Sequence, residues 1–431
     1  MSTVEPTHGT TRAAVLHSPK DLRIEEVPLP PPGPEELQIA IRSTTLCGSD
    51  LHYYNHFRNG DIISREPLAL GHESSGIVVA RGSALDPAVW PVGTRVALEV
   101  GLPCGACARC LEGRYNICAS LRFRSSCKSF PHFWGTLQER INHPAKWCHK
   151  LPAGVSLSAG ALLEPLGVAL HCTDRARKNG ALKAGCTVIV FGAGAVGMLV
   201  AAVCMLQGAA RVLVADVIEG RLNNLLRLKW CTHIYNSPRQ MPGSSTLEKL
   251  EFVKETAGGI LKHLDKPEGA DVVFECTGVE ACVQMGIYAA RPGGALVLVG
   301  MGTPVMTLPI SAAALREVDI LGGFRYANTY PAGIEILKMG KLEILSGIVQ
   351  ERDNLELDEP PAKKEAALEK IITQKYYGMQ GVKDAFEMAG KGADHLGGLV
   401  VKVEVVFPQE EDVAEAREGT FWSRQVPVGS S

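Results

Sequence analysis

The 431-residue chain lacks an excess of charge of either sign. Its 44 Lys and Arg residues nearly balance its 46 Asp and Glu residues, which leaves a formal net charge of -2. Nucleic acids and acidic membranes attract proteins through dense positive charge. The composition therefore gives no electrostatic reason to expect either as a partner.

Long hydrophobic runs are also absent. The longest apolar run extends from Ala195 to Leu206 and is interrupted by Gly197, whereas a membrane-spanning helix needs about 20 apolar residues. We interpret this run as a buried core helix. The first residues, Met1 to Pro6, contain neither a basic segment nor an apolar one, so we expect no signal peptide.

Cysteine, in contrast, is abundant. Thirteen cysteines in a chain without a secretory signal predict a reducing compartment, where some thiols bind metal and most of the others are inert core residues. We therefore expect a cytoplasmic protein.

Two kinds of pattern divide the chain. Residues 12–180 contain short β-type runs separated by Pro/Gly turns, which predict a compact β-rich lobe. Over residues 181–324, continuous apolar runs alternate with helical stretches, which predicts a doubly wound parallel sheet and an α/β fold class. We expect residues 325–407 to return to the first lobe, with a charged surface insertion at about 351–370 and a mobile tail at 408–431.

The first stretch that carries chemistry runs from Cys47 to Glu73. It begins Cys47-Gly-Ser-Asp-Leu-His-Tyr53 and ends Gly71-His72-Glu73. Thiolate, imidazole and carboxylate form a ligand set that suits zinc, and three protein ligands leave a fourth tetrahedral position for water or substrate. One cysteine and one His-Glu pair are weak evidence alone, because a core histidine beside a surface glutamate is the simpler alternative.

Four more cysteines lie within fifteen residues, in a segment that we name the cysteine lobe (residues 104–118). They are Cys104, Cys107, Cys110 and Cys118. Thiols so close in sequence can converge on one tetrahedral ion, and four thiolates leave no open position, so a zinc here would be structural. An iron–sulfur cluster, a redox-active Cys-x-x-Cys pair and a nucleic-acid zinc ribbon are the alternatives. The ribbon is disfavoured by the net charge and by the lack of a second, well-separated Cys-x-x-Cys pair.

The sequence Gly192-Ala-Gly194-Ala-Val-Gly197 matches G-x-G-x-x-G, with a strand pattern before it and a helical pattern after it. An acidic residue, Asp216, follows nineteen positions after Gly197, as expected for a residue that binds the adenosine ribose and repels a 2′-phosphate. The motif predicts an NAD site, and a glycine-rich turn that serves packing alone is the alternative. Arg221 could accept a 2′-phosphate, but with Asp216 present we expect it to lie against the adenosine end.

Together these motifs resemble the zinc-containing medium-chain alcohol dehydrogenases. Finer details are similar to the sorbitol dehydrogenase branch, which includes fungal L-arabinitol and xylitol dehydrogenases. The segments concerned are Cys47 to Tyr54, Leu163 to Leu166, Arg316 to Ile320 and Phe324 to Tyr330. The resemblance covers about residues 12–350 and 371–405, and it implies a GroES-like catalytic domain beside a Rossmann NAD-binding domain.

The resemblance implies roles for individual residues. Cys47, His72 and Glu73 would hold a catalytic zinc, and the four cysteines of the cysteine lobe a structural one. Glu164 would contact the zinc water or the substrate, and the further substrate contacts would be Tyr53, Arg325 and Tyr326. The predicted NAD contacts are Gly192, Gly194, Val196, Gly197, Asp216, Arg221, Val299, Gly300, Met301, Gly323, Phe324 and Arg325.

The chain departs from the family pattern in three places. The usual Glu-Pro-Leu-Ser is here Glu164-Pro-Leu-Gly167, which removes a hydroxyl near the site. All four structural cysteines are present, although many animal sorbitol dehydrogenases lack that zinc. The insertion and the tail have no family counterpart.

The expected reaction is the NAD-dependent oxidation of a secondary hydroxyl of a sugar alcohol to a ketose. A hydroxyl in the open position of zinc loses its proton more easily. Ser49 and His52 are candidates for passing that proton to solvent, and Asp50 for bracing His72. Arg325 offers several fixed donors, which suits a polyol. Simpler alternatives are a surface role for His52, an interface ion pair for Arg325 and wall packing for Tyr53.

Other functions stay open at this point. The chain could be another zinc-dependent alcohol or threonine dehydrogenase, a non-catalytic nucleotide binder, or a nucleic-acid-binding zinc protein. The family implies a homotetramer. The sequence does not determine the preferred polyol or the carbon that is oxidised, because both depend on the shape of the pocket.

Overall fold

The computed structural model describes residues 9–239, 245–345 and 367–407. The strands are β1 Gly9–Ser18, β2 Asp21–Leu29, β3 Glu36–Thr45, β4 Arg58–Asn59, β5 Ile62–Ile63, β6 Leu68–Ala69, β7 Glu73–Arg81, β8 Arg95–Leu98, β9 Gly101–Leu102, β10 Arg122–Phe123, β11 Arg140–Pro144, β12 Cys148–Lys150, β13 Thr187–Phe191, β14 Arg211–Asp216, β15 His233–Asn236, β16 Ala270–Glu275, β17 Ala290–Leu298, β18 Asp319–Gly322, β19 Ile372–Tyr377 and β20 Lys402–Val406. The α-helices are α1 Gly48–His56, α2 Ala108–Leu111, α3 Leu157–Ala161, α4 Leu163–Asn179, α5 Ala195–Leu206, α6 Glu219–Leu228, α7 Thr246–His263, α8 Glu280–Ala289, α9 Ile310–Ala314, α10 Tyr330–Lys338, α11 Lys341–Leu345 and α12 Val382–Ala389.

The first large sheet combines the two ends of the described chain. Its strand order is β12-β8-β7-β3-β20-β19, with β11 also paired to β3. Strand β3 is almost entirely buried and pairs antiparallel with both β7 and β20. The predicted return of the chain to the first lobe is therefore made by β19 and β20.

The second large sheet is parallel, with strand order β15-β14-β13-β16-β17-β18. Numbered from its first strand this is the order 3-2-1-4-5-6, the doubly wound arrangement that binds dinucleotides. Its central strand β13 reads Thr-Val-Ile-Val-Phe and is buried along its whole length, because helices cover both faces.

Helix α4 joins the two lobes. It packs against α5 and β17 of the nucleotide-binding sheet and, at its other end, against β7 of the first sheet. Its N-terminal half is mostly buried, and its last three residues are exposed. In the described ranges, no helix combines the length and apolar content needed to cross a lipid bilayer.

Three sequence expectations need correction. Strand β1 begins at Gly9, before residue 12, and the closing strand that the apolar run Gly398–Val403 predicts lies at Lys402–Val406, a few residues later. Of the predicted surface insertion, residues 351–366 lie outside the described residues. Its last residues belong instead to a buried 3-10 turn, Ala367–Ile371, in which Glu369 accepts a hydrogen bond from Ser156. In the sequence, apolar residues lie directly beside the charged segment, so the pattern does not show where the surface insertion ends. The predicted tail from 408 also lies outside the described residues.

Candidate active site

The N-terminus of α1 places the first candidate ligand. Cys47 is the N-cap residue of the helix, and its backbone N–H donates to Oδ2 of Asp50 at 3.2 Å. The other carboxylate oxygen of Asp50 lies 3.1 Å from Nδ1 of His72 and accepts a hydrogen bond from Ser125 at 2.6 Å. Asp50 is fully buried, so one carboxylate fixes both the cysteine loop and the imidazole.

Gly71 sets the chain direction just before the histidine. Its φ is +88°, and a Cβ atom there would lie 2.9 Å from Leu137 and 3.0 Å from Thr44. Only glycine meets both demands without strain. Burial opposes protonation of His72, but Asp50 outweighs it and holds the pKa of the ring well above its usual value. Because Asp50 occupies Nδ1, a metal can bind the other ring nitrogen by displacing its proton.

Cys47, His72 and Glu73 converge. One potential ligand atom from each residue lies within 4.8 Å of the others. Oε1 of Glu73 accepts a hydrogen bond from Lys402 at 2.6 Å, and Oε2 accepts one from Thr45. A carboxylate has about four lone-pair sites, so both contacts are compatible with metal binding. The residues present therefore fit a zinc ion with three protein ligands.

Glu164 lies beside this cluster at the start of α4. Burial raises its pKa to about 7, with the positive charge of His72 opposing and the negative charge of Glu73 adding to the shift. A carboxyl group with such a pKa can hold or release a proton near neutral pH. Its contact with zinc water or substrate stays a prediction.

Phe123 connects the cluster to the predicted substrate arginine. The rings of Phe123 and His72 make an edge contact with centroids 5.5 Å apart, and the guanidinium of Arg325 lies 3.2 Å from the centroid of Phe123. Tyr326 follows and is buried. Arg325 and Tyr326 therefore lie near the metal ligands, although more than 240 residues separate them from His72 in the sequence.

The cysteine lobe brings its four sulfur atoms together. The Sγ–Sγ distances are 3.5 Å for Cys107–Cys110, 3.6 Å for Cys104–Cys118 and 3.9 Å for Cys104–Cys110. Zinc–sulfur bonds of about 2.3 Å in a tetrahedron require sulfurs about 3.8 Å apart. All thirteen cysteines lie in the described ranges and are free thiols, so the cluster fits one structural zinc and not a disulfide.

The glycine motif forms the turn between β13 and α5. Gly192 has a φ of +99°, and a Cβ at Gly197 would lie 1.8 Å from the carbonyl oxygen of Gly192. The carboxylate of Asp216 accepts backbone hydrogen bonds from Ala193 at 2.6 Å and Ile218 at 2.8 Å. It therefore lies directly against the turn, at the end of β14, where the fingerprint requires its acidic residue.

Two further turns meet the glycine motif, and the sequence analysis missed one of them. Thr277 and Gly278 follow β16, and both backbone N–H groups donate to Glu275. A Cβ at Gly192 would lie 2.8 Å from Thr277, and one at Gly300 would lie 2.2 Å from the nitrogen of Gly278. The predicted 299–301 turn thus lies beside residues 277–278. Gly278, which follows β16, was the signal in the sequence from which the 277–278 turn could have been predicted.

The other predicted residues are placed as follows. Ser49 is half-buried and His52 is exposed on α1, while the buried hydroxyl of Tyr53 accepts a hydrogen bond from the N–H of Cys127 at 3.2 Å. The guanidinium of Arg221 donates to the carbonyl of Val400 at 3.3 Å. The partly or largely exposed candidates in and around the nucleotide-binding turns are Gly194, Val196, Val299, Met301, Gly323 and Phe324. Their contacts with cofactor or substrate stay predictions.

Known protein families match both lobes of this fold. Residues 33–153 match the alcohol dehydrogenase GroES-like domain, and residues 195–339 match the zinc-binding dehydrogenase family. The chain is 39% identical over 341 residues to sorbitol dehydrogenase of Gallus gallus, covering 78% of this chain and 88% of that protein. The chain belongs to the sorbitol dehydrogenase branch of the zinc-containing medium-chain dehydrogenases. The predicted family and α/β fold class are thereby confirmed.

Other relatives of this medium-chain dehydrogenase agree. It is 37% identical over 358 residues to probable D-xylulose reductase A of Emericella nidulans, covering 82% of this chain and 93% of that protein. A crystal structure of an Escherichia coli oxidoreductase of unknown specificity superposes with a TM-score of 0.73 at 28% identity, covering 93% of this chain and all of that one. The family and the two ligand clusters support zinc and NAD as its cofactors.

Proposed function

We propose that this chain is a polyol dehydrogenase that oxidises a secondary hydroxyl of a sugar alcohol to the ketose, with NAD as the oxidant. The observation that carries the proposal is the convergence of Cys47, His72 and Glu73 within 4.8 Å at the lobe junction. Helix α4 begins at Leu163, and Glu164 in its first turn lies beside this cluster. Further along the same helix, Cys172 packs against Gly323, which follows β18 of the nucleotide-binding sheet. A Cβ atom at Gly323 would lie 2.7 Å from the sulfur of Cys172. Metal cluster and nucleotide site are thus linked through one helix.

The reaction divides between cofactors and side chains. Zinc on Cys47, His72 and Glu73 would act as a Lewis acid toward the substrate hydroxyl, and NAD would accept the hydride. Glu164, with a pKa of about 7 caused mainly by burial, can exchange a proton near that hydroxyl. Ser49 and the exposed His52 offer a route from the site to solvent.

Two unpartnered polar atoms favour a polyol over a simple alcohol. Within the described part of the chain, Nε of Arg325 and the hydroxyl of Tyr326 are buried and have no hydrogen-bond partner. A buried polar group without a partner costs free energy, and hydroxyl groups on the neighbouring carbons of a polyol can satisfy both. The names of the relatives, sorbitol dehydrogenase and D-xylulose reductase, point to the same substrate class.

A substrate panel tests the proposal. Purified protein is assayed with sorbitol, xylitol, L-arabinitol, ethanol and threonine, each with NAD and with NADP, by following reduced nicotinamide. We expect turnover of at least one polyol with a preference for NAD. Turnover of ethanol or threonine with none of the polyols would assign the chain to another dehydrogenase branch.

Zinc analysis separates the enzyme from a non-catalytic nucleotide binder. We expect two zinc ions per chain, and one in Cys47→Ser with loss of activity. Arg109→Ala, an exposed change in the cysteine lobe, is the matched control and should keep both ions. A wild-type protein with one zinc, unchanged by Cys47→Ser, would favour the binder.

We also propose that the protein is a cytoplasmic homo-oligomer. Strand β18 forms one edge of the parallel sheet and pairs only with β17 among the described strands. Asp319, Ile320 and Gly322 on it are exposed, and an exposed edge is a template for pairing with another chain. Ile320→Glu should shift the sedimentation coefficient of the wild-type assembly toward that of a smaller species.

The proposed cytoplasmic location rests on the cysteines. Thirteen free thiols suit a reducing compartment.

A further inference from the structure

Arg325, the predicted substrate arginine, lies on a short connection that we name the return segment (residues 324–328). It leaves β18 and carries Arg325 and Tyr326 before α10 begins at Tyr330. Arg325 and Asn328 both adopt left-handed backbone conformations, with φ values of 52° and 60°. Such conformations are uncommon outside glycine and persist when the surroundings impose them. The segment therefore depends on contacts from outside itself.

Those contacts come from the cysteine lobe. Nδ2 of Asn116 donates to the carbonyl oxygen of Phe324 at 2.8 Å. The backbone N–H of Asn328 donates to the hydroxyl of Tyr115 at 2.6 Å, and its side-chain amide donates to the carbonyl of Gly113 at 2.7 Å. Three hydrogen bonds thus hold both ends of the return segment, with Arg325 and Tyr326 between them.

Tyr115 is itself held from the opposite side. Its hydroxyl donates to Oε1 of Glu99 at 2.5 Å, and Oε2 of the same buried carboxylate contacts Nε2 of His149 at 2.8 Å. Its ring makes an edge contact with Trp147 at 5.1 Å. Because the hydroxyl proton points to Glu99, the oxygen lone pair is directed to the N–H of Asn328.

We propose that Tyr115 and Asn116 are positioning residues for polyol binding, and that the cysteine lobe sets the geometry of Arg325 and Tyr326. Cys110 and Cys118 bracket the three contacting residues, so zinc bound to the lobe holds them in place. The lobe thereby acts on the substrate site and not only on stability. This inference rests on the proposed polyol dehydrogenase function.

Two variants test the inference by steady-state kinetics. Tyr115→Phe keeps the ring and removes both hydroxyl contacts, and Asn328→Gly keeps the left-handed backbone but removes the bond to Gly113. We expect the KM for the polyol to rise about 5- to 20-fold in each, with a smaller change in kcat and two zinc ions per chain retained. Arg109→Ala, which alters an exposed ion pair with Glu112 in the same lobe, is the control and should leave KM within about twofold.

Hydrogen exchange gives a readout that does not depend on turnover. The amide of Asn328 donates to the hydroxyl of Tyr115, so it should exchange faster in Tyr115→Phe and at the wild-type rate in Arg109→Ala. Unchanged polyol KM in both Tyr115→Phe and Asn328→Gly, or a lower melting temperature as the sole effect, overturns the inference. Unchanged exchange at Asn328 also overturns it. A wild-type protein that oxidises no polyol refutes the proposed function instead, and the exchange experiment still decides whether Tyr115 holds the return segment.

Discussion

The ammonium of Lys402 lies 2.6 Å from Oε1 of Glu73, and both side chains are buried. Strand β3 separates the two, because it pairs with β7 on one side and with β20 on the other. Burial alone would lower the pKa of Lys402, but Glu73 and the nearby Cys47 raise it. Lys402 is therefore a cation that offsets the negative charge of two candidate zinc ligands.

Removing this cation should be costly. Lys402→Met leaves Glu73 buried without its ionic partner, which costs about 3–5 kcal/mol of unfolding free energy for a buried pair. Urea unfolding of the zinc-depleted protein measures the change. Lys178→Met, which breaks an exposed ion pair with Asp174 on α4, is the control and should cost about 0.5 kcal/mol or less. Equal stability of Lys402→Met and wild type would show that the pair is not needed for folding.

Restoring the family serine at position 167 should disturb the substrate side of the site. A Cβ at Gly167 would lie 2.8 Å from Oγ1 of Thr329 and 3.3 Å from the ring of Tyr326. Gly167→Ser should therefore lower the unfolding free energy by about 1–3 kcal/mol and raise the polyol KM, because Tyr326 must move. Gly154→Ser, at a position where a Cβ meets nothing within 4 Å, is the control. A fully active and equally stable Gly167→Ser would mean that Thr329 yields without moving Tyr326.

Asp216→Asn should weaken the preference for NAD. The substitution removes the charge that repels a 2′-phosphate, and one of the N–H groups of Ala193 and Ile218 loses its acceptor. We expect the ratio of kcat/KM for NAD to that for NADP to fall at least about tenfold. Glu219→Gln removes an exposed charge three positions away and should change the ratio by less than about threefold. Equal ratios in the two variants would remove Asp216 from the determinants of cofactor choice.

His171 should make stability depend on pH. Burial, helped by Arg175, lowers its pKa to about 4 from 6.5, so the folded state keeps the ring neutral. The unfolded chain takes up the proton more readily, so this stability is present above pH 6.5 and is lost as the pH falls to about 4. Relative to His171→Gln, the wild type should lose about 3 kcal/mol over that range. Urea unfolding at several pH values measures it, and parallel curves for both proteins would contradict the assignment.

Much of the fold followed from local sequence patterns. The alternation of apolar strands and helices predicted the parallel sheet, because burial on both faces requires continuous apolar runs. The glycine motif and the cysteine spacing were equally readable, since their geometry is set within a few residues. The end of the 351–370 insertion was not, because packing decided that residues 367–369 are buried.

By itself, the sequence determined the types of ligand, the nucleotide fingerprint and the family. The tertiary structure alone decided which groups act together. Lys402 reaches Glu73 across 329 positions, and Asn328 reaches Tyr115 across 213. No local pattern encodes such pairs, because strand pairing and lobe packing bring them together only after the chain has folded.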